Sequence, residues 1–319
     1  MIQNIDIYKP NGTDIVDKCI QNNIIENWLE SLDVSSNTKE TYKVHLKNFI
    51  DWLNTNSIEI VSKVDILNYK QYLIKRYSNS SICLKISVLK SFYKYLEDEH
   101  ITIDIAKNIK GVRIAKGFKR EIFSLEQIKS ILGAIDKSTL LGKRDFALIN
   151  LLLRTGLRSC EVYRANIEDI RNKDGEVVLY VQGKGHTEKD EFVVLTHTML
   201  NILNDYLGAR EKKQHITDNS PLFVSLSDRN FGEKLELYSI QWVVKNRLLD
   251  VGINSKRLTT HSTRHTAITL SLLSGVDLID VKEMARHQNV DTTMLYVHNV
   301  NRLTKAPEKA LDKIYENII

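Results

Sequence analysis

His261-Ser262-Thr263-Arg264-His265, Arg286-His287 and Asp291-Thr292-Thr293-Met294-Leu295-Tyr296-Val297-His298 set four imidazoles, two guanidinium groups and a phenol between positions 261 and 298. Such a set needs something to face, and phosphate suits it. A guanidinium presents paired donors that match phosphate oxygens, an imidazole adds a hydrogen bond or a proton, and a phenol serves as donor or nucleophile. In the pentapeptide, the i, i+3 and i+4 spacing puts His261, Arg264 and His265 on adjoining positions of one helical surface. Two histidines at i and i+4 also suggest zinc. That assignment fails on detail, because Ser262 stands where H-E-x-x-H has its general-base Glu and Arg264 would set a cation beside a cation. No metal or other cofactor is expected.

Working outward, Tyr238–Leu249 carries Ile240, Val243, Val244 and Leu248 at helical spacing. Glu176–Val181 and Glu191–Leu195 are β-branched runs around Gln182-Gly183-Lys184-Gly185-His186, which predicts a hairpin with Lys184 at its tip. Ser124-Leu125-Glu126-Gln127 has capping-box spacing, and the apolar helix containing Phe146, Ile149, Leu152 and Leu153 stops at Thr155-Gly156. Arg158 comes just after that stop, with Glu161 three residues on. Beyond Gly275, Asp277–Met284 predicts another helix, and Pro307 opens an amphipathic tail carrying Ala310, Leu311, Ile314, Tyr315 and Ile318. Taken singly, each polar residue has an ordinary structural use: a surface charge for Arg158, a turn residue for Lys184, a core aromatic for Tyr296.

Toward the N-terminus, helical periodicity covers Thr41–Leu53, 65–77 and Lys85–Leu96, with Asn37 and Glu40 as a candidate N-cap pair. Lys43, Lys47, Lys85 and Lys90 interleave with the apolar faces and are candidates for contact with a DNA backbone. Between Ala106 and Glu121 the period lapses, and Lys107, Lys110, Arg113, Lys116, Lys119 and Arg120 follow with no acidic residue among them. A basic joint of this kind suits a clamp that closes around a duplex, each neutralised phosphate releasing counterions. The expected organisation is an arm (1–20), a helical domain (21–106), a linker (107–120), a domain with the polar cluster (121–300) and a tail (301–319).

Composition agrees with a two-domain, mostly helical protein. The 319 residues contain three prolines, 42% apolar and 27% charged residues, and a net charge of +5. No apolar run spans a bilayer and the polar start has no hydrophobic signal core, so a cytoplasmic protein with no membrane partner is expected. Cys19, Cys83 and Cys160 are too few and too scattered for a disulfide framework.

The order Arg158, Lys184, His261-x-x-Arg264, His287, Tyr296 resembles the active site of the tyrosine recombinase (phage integrase) family. Thr155-Gly156-Leu157-Arg158-Ser159-Cys160-Glu161 is similar to the family's first arginine box and Gly183-Lys184-Gly185 to its lysine hairpin. His261-Ser262-Thr263-Arg264-His265 is similar to its His-x-Leu-Arg-His box, Arg286-His287 to its Leu-Gly-His box, and Thr293-Met294-Leu295-Tyr296-Val297-His298 to its nucleophile box. Thr263 replaces the usual Leu. Ala285-Arg286 replaces the usual Leu-Gly, which leaves open the backbone conformation there and the placement of His287.

The resemblance, which covers roughly 20–319, implies a mainly α fold with a small antiparallel sheet in the C-terminal catalytic domain and a helical core-binding domain before it, the two forming a C-shaped clamp on DNA. It implies a site-specific recombinase of simple Xer-like architecture that cuts and rejoins duplex DNA without cofactor. Tyr296 is the implied nucleophile, Arg158 and Arg264 the phosphate-binding groups, Lys184 the general acid, His261 the assistant in proton transfer at Tyr296 and His287 a donor to phosphate. Glu161 and His265 are supporting residues and His298 a structural one. A homotetramer or related heterotetramer follows from the same likeness, with the tail docked on a neighbouring protomer. The chemistry is shared by type IB topoisomerase-like relaxing enzymes, and a catalytically silent DNA-binding relative is the third option.

Overall fold

The computed structural model is mainly helical with one three-stranded antiparallel sheet, and describes residues 23–114, 121–183, 186–304 and 307–316, with side chains beyond 297 described only at 308, 311, 312 and 314–316. The chain divides into two compact units, Met1–Lys116 and Gly117–Ile319.

The first unit contains α1 (Ile24–Ser31), α2 (Ser36–Thr55), α3 (Lys63–Ile74) and α4 (Asn79–Asp98). Each of the last three starts on a serine cap. Ser35 accepts from the Thr38 N–H, Ser62 and Asp65 form a capping box, and Ser78 accepts from the Ser81 N–H. Ser35 therefore displaces Asn37 as the cap expected from sequence, because its hydroxyl reaches the third helical N–H while Asn37 already lies inside the helix. The apolar faces meet around Trp28, Phe49, Tyr69, Leu73 and Ile86, and the buried Trp28 indole stands edge-on to Phe92 at 5.2 Å.

Two expectations about basic residues change here. Lys85, a candidate for DNA contact, is buried: its ammonium lies 3.3 Å from His45 Nδ1 and 4.8 Å from the Tyr77 ring centroid. Burial lowers its pKa, and the side chain is not presented to solvent as a phosphate contact requires. The start of the expected linker is not free either. Lys70 donates to the Lys110 carbonyl at 2.7 Å, Asn79 to that of Arg113 at 2.8 Å, and Ile109 is buried, so 107–114 is tied to the first unit. Lys116, Lys119, Arg120 and the arm 1–20 lie outside the described residues.

The second unit runs α5 (Leu125–Ala134), α6 (Leu140–Thr155), α7 (Ser159–Arg164), β1 (Ile170–Lys173), β2 (Glu176–Val181), β3 (Glu191–Val194), α8 (His197–Glu211), α9 (Leu237–Asp250), α10 (Thr260–Leu273), α11 (Leu278–Ala285), α12 (Val290–Thr304) and α13 (Pro307–Glu316). Helix α6 is its axis. Ala147, Leu148, Leu151 and Leu152 are fully enclosed, with α8 and α10 packed against it. The expected Ser124-to-Gln127 capping box opens α5, and Gly156 ends α6 at φ +62°, which glycine adopts without the Cβ penalty.

The hairpin β2–β3 forms as expected. Strand β1 was not foreseen from sequence: it pairs antiparallel with β2, Lys173 opposite Glu176, across the two-residue turn Asp174-Gly175 with φ +51° and +89°. Asp-Gly is a strong signal for such a turn, but the flanking Ile170-Arg171-Asn172-Lys173 is too short and polar to read as a strand. No helix among the described residues is long and apolar enough to cross a membrane.

Candidate active site

Helix α10 presents the pentapeptide. Thr259 caps it in a box with Ser262, so His261 lies in the first turn, exposed, while Arg264 and His265 are turned inward and buried. The Arg264 guanidinium donates to the Gly156 carbonyl at 2.7 Å and to the Ala285 carbonyl. These carbonyls stand at the C-terminal ends of α6 and α11, where backbone oxygens lack intrahelical partners and the helix dipoles are negative. Burial, with the charges of Arg158 and Arg286, lowers the Arg264 pKa to about 9, which leaves it charged at neutral pH.

Arg158 occupies the N-cap position of α7. Its backbone N–H donates to Glu161 Oε2 at 2.7 Å, its Nη1 to Glu161 Oε1 at 2.6 Å and its Nη2 to the Arg286 carbonyl at 3.2 Å. The Glu161 side chain is fully enclosed, whereas 21% of that of Arg158 remains exposed. Burial alone would raise the carboxyl's pKa. Arg286, the Arg158 N–H and the Arg158 charge outweigh it and hold Glu161 below the usual carboxylate range.

Arg286 is a participant that sequence reasoning did not assign. At the C-cap of α11 it takes φ +52°, ψ +49°, and its guanidinium donates to Glu161 at 2.8 and 3.5 Å and to the Met284 carbonyl at 2.6 Å. The family glycine normally standing at this position is replaced, yet the left-handed backbone is kept, at a cost of roughly 1–2 kcal/mol for an L side chain. His287 consequently remains beside the site, its ring stacked with Tyr296 at 6.2 Å and its Nδ1 2.8 Å from Thr293 Oγ1.

Burial first, then Arg264, Arg158, Arg286 and Lys282, lowers the His287 pKa to about 4, so the ring is neutral at physiological pH. In the tautomer with the ring proton on Nε2, Thr293 donates to Nδ1 and the Nε2 proton is available for donation. The depressed pKa has a stability consequence. Unfolded chains bind this proton near pH 6.5 and the folded one only near 4, so acidification from pH 6.5 toward 4 favours the unfolded state. The melting temperature should fall across that window, and less steeply in His287→Gln. Equal slopes for the two proteins would contradict the neutral assignment.

Tyr296 projects from α12 into a small apolar cluster with Ile268, Val281 and Ala285 and is 4% exposed. Its hydroxyl is hydrogen-bonded to His265 Nδ1. Sequence reasoning gave proton transfer at Tyr296 to His261, with His265 supporting, whereas the imidazole found on the hydroxyl is that of His265. Four residues separate the two histidines on one helical face, and the deeper one meets the incoming phenol. In the tautomer with its proton on Nε2, His265 accepts the phenol hydrogen.

Of the remaining candidates, Lys184 lies outside the described residues, as does the side chain of His298. The strands bearing the Lys184 turn are in register, and Gln182 donates to the His186 carbonyl at 2.6 Å across its base. Lys43 is 2.5 Å from Glu26 and Lys107 3.8 Å from Glu97, both on the surface; Lys47, Lys110 and Arg113 are exposed and Lys90 is half-buried. Among the described residues, no group of three or more His, Cys, Asp or Glu side chains is placed to hold a metal. Three guanidinium groups, a neutral imidazole and a phenol with an attached imidazole thus converge. Such a group can bind a phosphodiester, stabilise added negative charge and supply an oxygen nucleophile.

Comparison with known proteins gives a consistent picture. Residues 121–302 match the phage integrase family and residues 25–100 the phage integrase, N-terminal SAM-like domain. The chain is 30% identical over 293 residues to tyrosine recombinase XerD of Oceanobacillus iheyensis, covering 88% of this chain and 93% of the relative. It is 28% identical over 287 residues to XerD of Listeria innocua serovar 6a, with 87% and 94% covered. Among solved structures, XerH bound to a palindromic difH substrate in a post-cleavage complex superimposes with a TM-score of 0.71 at 22% identity, covering 96% of this chain and 90% of that one. A lambda integrase dimer on a COC' core site gives 0.64 at 16% identity, with 84% and 95% covered. At these identities the structural likeness speaks for the fold.

Proposed function

This chain belongs to the phage integrase family, and from that premise we propose that it is a site-specific DNA recombinase that cuts and rejoins duplex DNA through a 3′-phosphotyrosyl link at Tyr296. The observation that carries the assignment is the convergence of Arg158, Arg264, His287 and Tyr296, drawn from four separate stretches of sequence, around one small region of the second unit.

In the proposed reaction the Tyr296 oxygen attacks the scissile phosphorus, the P–O5′ bond breaks, and the phosphoryl group is left on the tyrosine. The phenol proton passes to His265, whose Nδ1 already faces it. Lys184 delivers a proton to the departing 5′-oxygen. Arg158 and Arg264 hold the non-bridging oxygens, with His287 and His261 as further donors, and stabilise the charge that grows on them. A 5′-hydroxyl from a partner duplex then attacks the phosphotyrosine, restoring a phosphodiester and the free phenol. Bond energy is conserved through the covalent link, so no external energy source is needed.

The partner is double-stranded DNA carrying a recombination site. Two such duplexes are brought together in a tetramer, with α13 docked on a neighbouring protomer. Its exposed Leu311, Ile314 and Tyr315 support that assignment. The surface lysines of the first unit other than Lys85, with Lys107, Lys110, Arg113, Lys116, Lys119 and Arg120, supply backbone contacts.

The direct test incubates the protein with duplex fragments from the DNA flanking its own coding sequence, quenches in SDS and sequences the protein-linked ends. A discrete site with protein on the 3′-phosphate is expected. Random cleavage, or none on any fragment, would remove the recombinase assignment.

A further inference from the structure

The site contains a buried cation that the proposed reaction does not use. The Arg286 side chain is 3% exposed and its partner Glu161 is fully enclosed. Glu161 takes 2.8 and 3.5 Å bonds from Arg286 and a 2.6 Å bond from the Arg158 side chain, so one carboxylate is divided between two guanidinium groups. Arg286 also lies 3.9 Å from Glu191 Oε2 on β3, the strand leading away from the Lys184 turn, and that same oxygen lies against Gly183. Through its backbone, the same residue accepts from Arg158 Nη2 at 3.2 Å. The left-handed backbone makes glycine the unstrained choice at this position, so a charged residue retained here bears its conformational cost without any need from the turn itself.

We propose that Arg286 is a positioning residue for the recombination reaction: by sharing the Glu161 carboxylate, it leaves the outer donors of Arg158 free for the scissile phosphate. Without Arg286, the enclosed Glu161 has Arg158 as its remaining guanidinium partner, and a buried carboxylate draws its partner in strongly. Arg158 would then be committed to the protein instead of the phosphate. Arg286 acts through Arg158 and does not itself touch DNA. The inference rests on the recombinase assignment, and adduct formation by the wild type tests that assignment separately.

The experiment measures single-turnover formation of the covalent adduct at saturating DNA, on a nicked suicide duplex carrying the mapped cleavage site. It uses full-length wild type, R286K, R286Q, E161Q and R286Q/E161Q, with DNA affinity and melting temperature recorded for each. R286K and R286Q face the same backbone angle, so the difference between them reports charge. The expected result is a fall of about 10²-fold for R286Q but less than about tenfold for R286K, with affinity little changed. Removing the carboxylate that Arg286 serves should then recover activity, R286Q/E161Q exceeding R286Q by about tenfold or more. A merely structural Arg286 predicts the reverse, the double variant being slower than R286Q. That outcome, a wild-type rate in R286Q, or equal losses in R286K and R286Q would overturn the proposal. Should R286Q melt below the assay temperature, R286G replaces it in both backgrounds, since glycine suits the angle.

Discussion

Tyr296→Phe yields no SDS-stable protein–DNA adduct on a nicked suicide duplex, while its affinity for the same duplex stays within about threefold because phosphate contacts elsewhere dominate binding. The substitution removes one oxygen and keeps the ring that packs against Ile268, Val281 and Ala285. The lost hydrogen bond to His265 costs about 1 kcal/mol, far too little to unfold the unit. Loss of the adduct with binding retained is thus specific to the nucleophile. A phenylalanine variant that still linked covalently to DNA would move the nucleophile to another side chain and dissolve the assignment of the whole cluster.

The second large effect is expected from Arg264→Ala. Cleavage at saturating DNA should fall by ~10²–10³-fold or more, the order lost when a preorganised donor to a developing oxyanion is removed. Alanine also strips the Gly156 and Ala285 carbonyls of their guanidinium partner, each unsatisfied buried acceptor costing ~1–3 kcal/mol. The melting temperature should therefore drop together with the rate. Arg264→Lys keeps the charge, but a single ammonium cannot reproduce the planar fork that reaches both helix ends. It should recover little of either. A cleavage rate within tenfold of wild type for the alanine variant would show that Arg264 does not contact the phosphate.

Local chemistry makes much of the fold legible in the sequence. Ser124 and Gln127 bracket the first turn of α5, Gly156 closes α6, and the β-branched runs around Gly183 pair as β2 and β3. In each case the information lies within a few residues of its effect. Misassignments arose where a choice depended on neighbours distant in sequence. Lys85 has the spacing of a surface lysine, but His45 and Tyr77 enclose it. The family resemblance brought Arg158, Arg264, His287 and Tyr296 into one set. It did not identify which imidazole meets the phenol, because that depends on how α10 faces α12 across a sequence separation of 31 positions. Arg286 was legible only as a departure from a pattern. Its partner Glu161 lies 125 positions away, and no local signal joins the two.

The arginines of this site complete the scaffold that holds them. Arg264 closes the carbonyl ends of α6 and α11, and Arg158 takes up the carbonyl of Arg286. Enzymes commonly gain stability when catalytic groups are deleted, because those groups are held in strained or poorly satisfied surroundings. Here the usual exchange between activity and robustness should run the other way. Selection for a more heat-resistant variant would have no reason to discard these two residues, and a lineage freed from the need to recombine DNA would still be pressed to keep them.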